Sequence, residues 1–168
     1  REKLDWISGE YIRAMPADRL KTIFTEILKA SGTFSEPPPD EWMKRFVELY
    51  RKRVFVLKDL PVESAFLFKD TIDWDEEGMT LLKKHEGMGK VFLQYADVLE
   101  KLDSFGTESV EKASRRLMED LKLSGKKFIH PARVAITGRT VSPGFFETVS
   151  LLGARRACSR LRTVSKKL

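Results

Sequence analysis

Apolar residues recur at helical spacing along nearly the whole of this 168-residue chain. The clearest stretch runs from Leu20 to Leu28, where apolar side chains stand at i, i+3, i+4, i+7 and i+8. That period places them on one face of an α-helix. No segment sustains the alternation of apolar and polar residues that indicates a strand. We therefore expect about nine or ten helices and an all-α fold.

Two connectors suggest how these helices are divided. Three consecutive prolines at residues 37–39 cannot lie inside a helix and form a stiff link. Further along, residues 69–73 form a polar hinge between two apolar segments. We expect two small helical subdomains, residues 1–69 and 70–168. Because the chain begins with arginine rather than methionine, we also expect it to be a piece of a longer protein.

The segment from Lys126 to Phe145 is the strongest candidate for a binding site. Two apolar runs flank a turn-rich loop at residues 137–144. Gly138 suits the left-handed residue that ends a helix, and Ser142 followed by Pro143 is typical of an N-cap and a first helical residue. The free N–H groups and the dipole of a helix beginning there would favour a phosphate or an unpaired base edge.

Positive charge is concentrated in the last third of the chain. Residues 126–168 contain ten lysines and arginines against one acid, Glu147, so this segment carries +9. Since the whole chain carries +6, residues 1–125 sum to −3. This asymmetry favours a polyanion such as nucleic acid as the partner, although a solvated basic face would give the same composition.

The sequence lacks the motifs of common catalytic and metal sites. It has no glycine-rich phosphate loop, no dinucleotide fingerprint and no nucleophile–base motif. His85 and His130 have no cysteine or glutamate at zinc-ligand spacing, and the single Cys158 cannot form an internal disulfide. No apolar run approaches the roughly 20 residues of a membrane span. We expect no metal, no cofactor and no membrane contact.

Several stretches of the chain are similar to the sequence patterns of one enzyme family. Residues 2–13, which read EKLDWISGEYIR, are similar to the family's EKL-W-NG-YIR pattern, with Ser8 where that pattern usually has asparagine. The signature near the family's C-terminus is similar to residues 131–138 (PARVAITG), 142–146 (SPGFF) and 151–153 (LLG). Because the order and spacing of these matches agree from end to end, the set is more specific than any one of them. Taken together, they resemble bacterial glutamyl-tRNA synthetases.

The resemblance implies that the chain is the C-terminal anticodon-binding half of a class I glutamyl-tRNA synthetase, which is a helical cage of two small subdomains. The family's catalytic half, with its nucleotide-binding fold, is absent from this sequence. ATP and magnesium therefore belong to the parent enzyme's catalytic domain, and none is expected in this chain. The expected partner is the tRNA for glutamate, bound by a cytoplasmic monomer. Residues 73–127 match only in helical pattern and receive no assigned role.

The resemblance also implies roles for single residues. Arg53 matches the arginine that reads the third anticodon base in members restricted to the glutamate tRNA, where relaxed members tend to have glutamine. The expected pocket for the first and middle bases contains Arg133, Ser142, Pro143 and Phe145, with Phe145 as a stacking surface. First-helix contacts are expected from Lys3 and Trp6. The cations expected to bind tRNA phosphates are Arg51, Lys52, Lys126, Lys127 and Arg139.

Two alternatives to this interpretation stay open. A helical protein-interaction module would have the same periodicity and an incidental basic face, and it would not shift glutamate tRNA in an electrophoretic assay. A relaxed enzyme that also charges the glutamine tRNA would keep the family, but Arg53 argues against it. From composition alone, Trp6 and Phe145 fit a core as well as a stacking role.

Overall fold

The computed structural model describes residues 9–168 and contains α-helices and one short 3-10 turn, with no strand in that range. The prediction of an all-α fold is therefore confirmed. The chain forms two compact units that divide between Phe68 and Lys69, and the part of each in binding an anticodon stays a prediction. Lys3 and Trp6, for which contacts were predicted, lie outside the described residues.

The first unit is built on two amphipathic helices joined by the proline connector. Residues 9–14 are helical, and the unit continues with α1 (Ala17–Ala30), α2 (Asp40–Tyr50), the 3-10 turn (Leu57–Asp59) and α3 (Leu60–Phe68). Leu20, Phe24 and Leu28, which share one face of α1, are fully buried, as their spacing predicts.

An aromatic cluster fixes α2 within this unit. Phe46 is stacked on Trp42 with ring centroids 5.3 Å apart, and it contacts Tyr50 at 4.6 Å and Phe68 at 5.8 Å. Such pairs contribute about 0.5–1.5 kcal/mol each beyond the area that they bury. Because Tyr50 is the last residue of α2, the cluster also fixes the start of the turn that follows.

The second unit consists of six helices around a core formed by α5 and α9. Its helices are α4 (Glu76–Lys83), α5 (Met88–Glu100), α6 (Thr107–Asp120), α7 (Gly125–Thr137), α8 (Phe145–Leu152) and α9 (Ala154–Ser165). The helix α9 packs mainly along α5 and also against α7 and α8, while α6 packs against α8. Tyr95 of α5 is fully buried, and its hydroxyl is 2.8 Å from that of Ser114 in α6.

A buried arginine joins α9 to two other segments. Arg160 is 2% exposed; its Nη1 donates to the carbonyl of Ile136 at 2.7 Å and its Nη2 to the carbonyl of Lys69 at 2.6 Å. Burial lowers the pKa of Arg160 to about 10, which still leaves the guanidinium charged at neutral pH. The end of α7 and the first residue of the second unit are thus held to α9.

Within the part of the chain that the structure describes, no helix combines the length and the apolar character needed to cross a bilayer. In the same part, no group of three or more histidine, cysteine, aspartate or glutamate side chains is arranged to hold a metal ion. Cys158, the single cysteine, is buried, and its thiol lies 3.3 Å from the carbonyl oxygen of Ala96.

Candidate nucleic-acid interface

The turn that ends α7 requires a glycine. Gly138 has φ +73°, and its N–H donates to the carbonyl of Val134 at 2.8 Å. A Cβ at this position would lie 2.7 Å from the carbonyl oxygen of Asp73, closer than such contacts occur. The prediction that Gly138 ends a helix in the left-handed region is confirmed.

Arg133 fastens the following loop, residues 139–144, to α7. Its Nη1 lies within hydrogen-bonding distance of the carbonyls of Ser142 (3.2 Å) and Pro143 (2.7 Å) and of the Ser142 hydroxyl. The guanidinium carbon is 5.8 Å from the centroid of the Phe145 ring, within cation–π range. The structure therefore brings together four of the residues predicted for the base pocket, with Arg133 holding the other three.

The helix after this loop begins two residues later than its sequence predicts. Gly144 occupies the N-cap position and Phe145 is the first residue of α8, with no side-chain cap. Ser142 does not act as the N-cap, because its hydroxyl contacts Arg133 and donates to the carbonyl of Pro143 at 3.0 Å. A Cβ on Gly144 would overlap the carboxylate of Glu147, so an acid already lies against this helix start. The predicted open anion site at Pro143 is thus wrong.

Phe145 is in the core rather than at an open stacking surface. Its side chain is 4% exposed, and its ring packs edge-on against Phe146 at 5.4 Å. The half-buried Phe146 in turn has the guanidinium carbon of Arg115 5.7 Å from its ring centroid. The structure therefore contradicts the prediction that Phe145 offers a face for a base, because that face is already covered by protein.

Exposed cations stand at the start of α7. Lys126 and Lys127 occupy its first turn, where the helix dipole disfavours positive charge and where no acid is present. Neither side chain forms an ion pair or hydrogen bond with any residue from 9 to 168. At the other end of the helix, the half-buried Arg139 donates its backbone N–H to the hydroxyl of Thr137 at 3.2 Å.

The first unit carries the other predicted cations in the turn after α2. Arg53 donates its backbone N–H to the carbonyl of Tyr50 at 2.8 Å, and the buried Val54 anchors the turn. Lys52 and Arg53 are exposed, and neither side chain pairs with another residue within the described range 9–168. The guanidinium of Arg53 is thus available to a ligand.

Arg51 has a different role from the phosphate contact predicted for it. Its Nη2 donates to the carbonyls of Arg13 and Met15, both at 2.8 Å, and its Nη1 pairs with Glu48 at 2.8 Å. The side chain is only 18% exposed. Arg51 therefore fastens the end of the helical residues 9–14 to the turn after α2, and its donors are not available to a phosphate.

Much of the basic charge in the last third is engaged within the protein. Arg155 and Arg156 donate to Asp70 at 2.8 and 2.9 Å, and their hydrogen bonds, that of Arg156 foremost, hold the pKa of Asp70 below its ordinary value. Arg162 pairs with Asp97 at 3.0 Å and Glu100 at 2.7 Å. The excess of +9 therefore overstates the charge that this segment offers to a partner.

The structural role of Arg160 was missed, because the sequence analysis counted it only as one of the ten cations of residues 126–168. One signal was present in the sequence: Arg160 stands three residues after Ala157 and four before Val164, both buried on the inner face of α9. That spacing places it on the apolar face of an amphipathic helix. An arginine at such a position is buried only with hydrogen-bond partners.

Comparisons with known proteins agree with this architecture. A family model described as an anticodon binding domain matches residues 14–165. Glutamate–tRNA ligase 1 of Caldanaerobacter subterraneus subsp. tengcongensis is 32% identical over 165 residues, covering 98% of this chain and 34% of the relative. Glutamate–tRNA ligase 2 of Thermoanaerobacter pseudethanolicus is 31% identical over 160 residues, covering 95% and 33%.

A solved structure has the same fold. The crystal structure of a glutamate tRNA ligase from Elizabethkingia meningosepticum in complex with its amino acid matches with a TM-score of 0.86 at 21% identity, covering 99% of this chain and 32% of that one. The chain thus spans about a third of the length of the relatives that it matches. The resemblance to glutamyl-tRNA synthetases is confirmed. Because the family model covers nearly all of its residues, the chain belongs to the anticodon-binding domain family.

Proposed function

We propose that this chain binds the anticodon loop of the tRNA for glutamate, as the anticodon-binding part of a ligase that joins glutamate to that tRNA with ATP. The observation that carries the proposal is the pair of exposed lysines in the first turn of α7, Lys126 and Lys127. Their charge opposes the dipole of their own helix and has no acidic partner from residue 9 onward, whereas a phosphate would stabilise it.

Arg53 is the proposed reader of the third anticodon base. It is exposed in a turn whose backbone is held by Tyr50 and Val54. An arginine only donates hydrogen bonds, which suits the acceptors O2 and N3 on the pairing edge of cytosine. The pairing edge of guanine has one acceptor, O6, beside the donors N1–H and N2–H₂, and an arginine has no acceptor for those two donors. This chemistry favours the glutamate tRNA, with cytosine at that place, over the glutamine tRNA, with guanine.

The loop after α7 is the proposed wall of the pocket for the first and middle bases. Arg133 orders this loop through Ser142 and Pro143 and lies above the buried ring of Phe145. Its contribution to base recognition is therefore to position the loop as well as to bring a positive charge beside it. A preformed loop lowers the conformational entropy that binding would otherwise cost.

The remaining cations are proposed to contact tRNA independently of its base sequence. Lys52, Lys126, Lys127 and Arg139 bind tRNA phosphates, and Arg51 is left out because its donors are engaged. The tRNA contacts of Lys3 and Trp6 stay a prediction. The parent protein is proposed to be a cytoplasmic monomer whose catalytic half supplies the site for ATP and magnesium, so this chain alone should charge no tRNA.

The test is the binding of fluorescently labelled tRNA to the purified chain at physiological salt. Glutamate tRNA should bind at least about ten-fold more tightly than a transcript in which guanine replaces the third anticodon base, a difference of about 1.4 kcal/mol. Absence of binding would favour a module for protein partners. Equal affinity for both transcripts would contradict recognition of the third anticodon base and would indicate a purely electrostatic contact.

A further inference from the structure

A groove with an apolar floor lies between α5 and α6 of the second unit. Its volume is about 470 Å³, within the range of ligand sites. Val98 and Leu102 from α5 and the residues after it form one side of the floor, and Ala113 and Leu117 of α6 form the other. None of the residues proposed above to bind tRNA lines it.

Three cations form the rim of this groove. Lys101, Lys112 and Arg116 line it, against a single acid, Asp120. In the described part of the chain, from residue 9 to the end, no side chain pairs with any of these three cations. A net positive rim beside an apolar floor is complementary to a ligand that carries both acidic and apolar groups.

The spacing of the groove residues on α6 fits a helical ligand. They are Ser109, Lys112, Ala113, Arg116, Leu117 and Asp120, at positions i, i+3, i+4, i+7, i+8 and i+11 along one face of the helix. At 1.5 Å per residue this face is about 16 Å long, or about three helical turns. A ridge of this spacing interdigitates with the corresponding ridge of a second helix.

The lining favours a peptide over single-stranded RNA. Sites for single-stranded RNA combine cations with aromatic side chains on which bases stack, and this groove has no aromatic lining among the described residues. Phosphates, for their part, gain nothing from an apolar floor. Aliphatic side chains of a helix would remove that floor from water, while flanking carboxylates would face the rim.

We propose that this groove binds an acidic amphipathic helix of a protein partner. Apolar residues spaced by three and four along the partner helix pack on Val98, Leu102, Ala113 and Leu117. Its aspartates and glutamates face the three cations of the rim. The proposal concerns the α5–α6 groove alone and does not depend on tRNA binding.

The experiment is a selection with displayed peptides. A library of helical peptides of about 16 residues, long enough for three to four turns, is selected against the full chain. Enriched peptides are then synthesised and titrated by fluorescence anisotropy. We expect acidic sequences with apolar residues at intervals of three and four. The variant K112Q/R116Q should bind them at least about ten-fold more weakly and should bind glutamate tRNA as the wild type does.

The matched control is K126Q/K127Q, which removes the same charge from the start of α7. It should bind the selected peptides normally and glutamate tRNA more weakly. Failure to select any binder, enrichment of basic sequences, or equal peptide affinity of wild type and K112Q/R116Q overturns the groove proposal. If K112Q/R116Q instead weakens tRNA binding, the rim serves RNA and the helix proposal is wrong. A lack of tRNA binding by the wild type contradicts only the proposed function.

Discussion

Two arginines in one turn show how differently neighbouring residues of the same type are used. Arg51 points back to the carbonyls of Arg13 and Met15, which precede it by 38 and 36 residues, whereas Arg53 lies in solvent. The resemblance implies a phosphate contact for Arg51 and base recognition for Arg53. The sequence does not reveal that Arg51 is engaged within the protein, since the carbonyls that engage it come from a distant segment. Of the two arginines, Arg53 is the one whose exposed side chain is available to a tRNA base.

The first prediction replaces Arg53 with glutamine. An amide both donates and accepts, so R53Q should tolerate guanine as well as cytosine and narrow the preference for glutamate tRNA by about ten-fold, or about 1.4 kcal/mol. Stability should change by only a few tenths of a kcal/mol, because the side chain is exposed. The measurement is the affinity of each variant for the two transcripts. K52Q is the control and should weaken both equally; an unchanged ratio in R53Q would place discrimination elsewhere.

The second prediction concerns Arg160. Arg160→Met keeps much of the side-chain volume but leaves the carbonyls of Lys69 and Ile136 without this donor. The expected loss is about 2–4 kcal/mol in the free energy of unfolding, read from urea titrations followed by circular dichroism. The control is Arg155→Met in the same helix, whose side chain is 76% exposed and which should cost at most about 1 kcal/mol. Similar losses in both variants would contradict the role of Arg160.

At the scale of elements, most helix positions can be predicted from the periodicity of apolar residues, but the start of α8 cannot. The end of α7 at Gly138 and the buried face of α1 were predictable, because they depend on local residue types and spacing. The start of α8 was not, because a tertiary contact engages the Ser142 hydroxyl that would have capped it. Arg133 contacts Ser142, Pro143 and Phe145, but whether these residues form a base pocket stays a prediction. Whether Phe145 is exposed depends on packing that no local pattern reports.

The third prediction tests the turn that presents the loop after α7. Gly138→Ala should destabilise the protein by about 2 kcal/mol or more, since it adds the strain of φ +73° to a contact of 2.7 Å with the Asp73 carbonyl. Gly87→Ala is the matched control in the same unit, because Gly87 has φ +79° but no atom within 4 Å of its added Cβ. It should cost only about 1–2 kcal/mol. Thermal and urea unfolding report both values, and equal losses would show that the contact with Asp73 is unimportant.

At the scale of the whole molecule, the folded chain offers less positive charge than its sequence suggests. Several arginines of the last third are used within the second unit: Arg155 and Arg156 at Asp70, Arg162 at Asp97 and Glu100, and Arg160 at two carbonyls. The acids in these pairs belong to residues 1–125, whose negative sum was known from composition. That Asp97 and Glu100 engage Arg162 depends on the packing of α9 along α5.

The last prediction concerns how the affinity for tRNA depends on salt concentration when cations are removed. Each cation that displaces counterions from tRNA adds about 0.7–0.9 to the slope of log K against log salt concentration. K126Q/K127Q should therefore reduce that slope by about 1.4–1.8. The control R155Q also removes one positive charge, but from a side chain that already pairs with Asp70. The slope for R155Q should therefore stay close to the wild-type value. The measurement is tRNA affinity by fluorescence anisotropy at several potassium chloride concentrations. If R155Q lowers the slope as much per residue as K126Q/K127Q does, binding reports net charge alone and the proposed phosphate contacts of α7 are wrong.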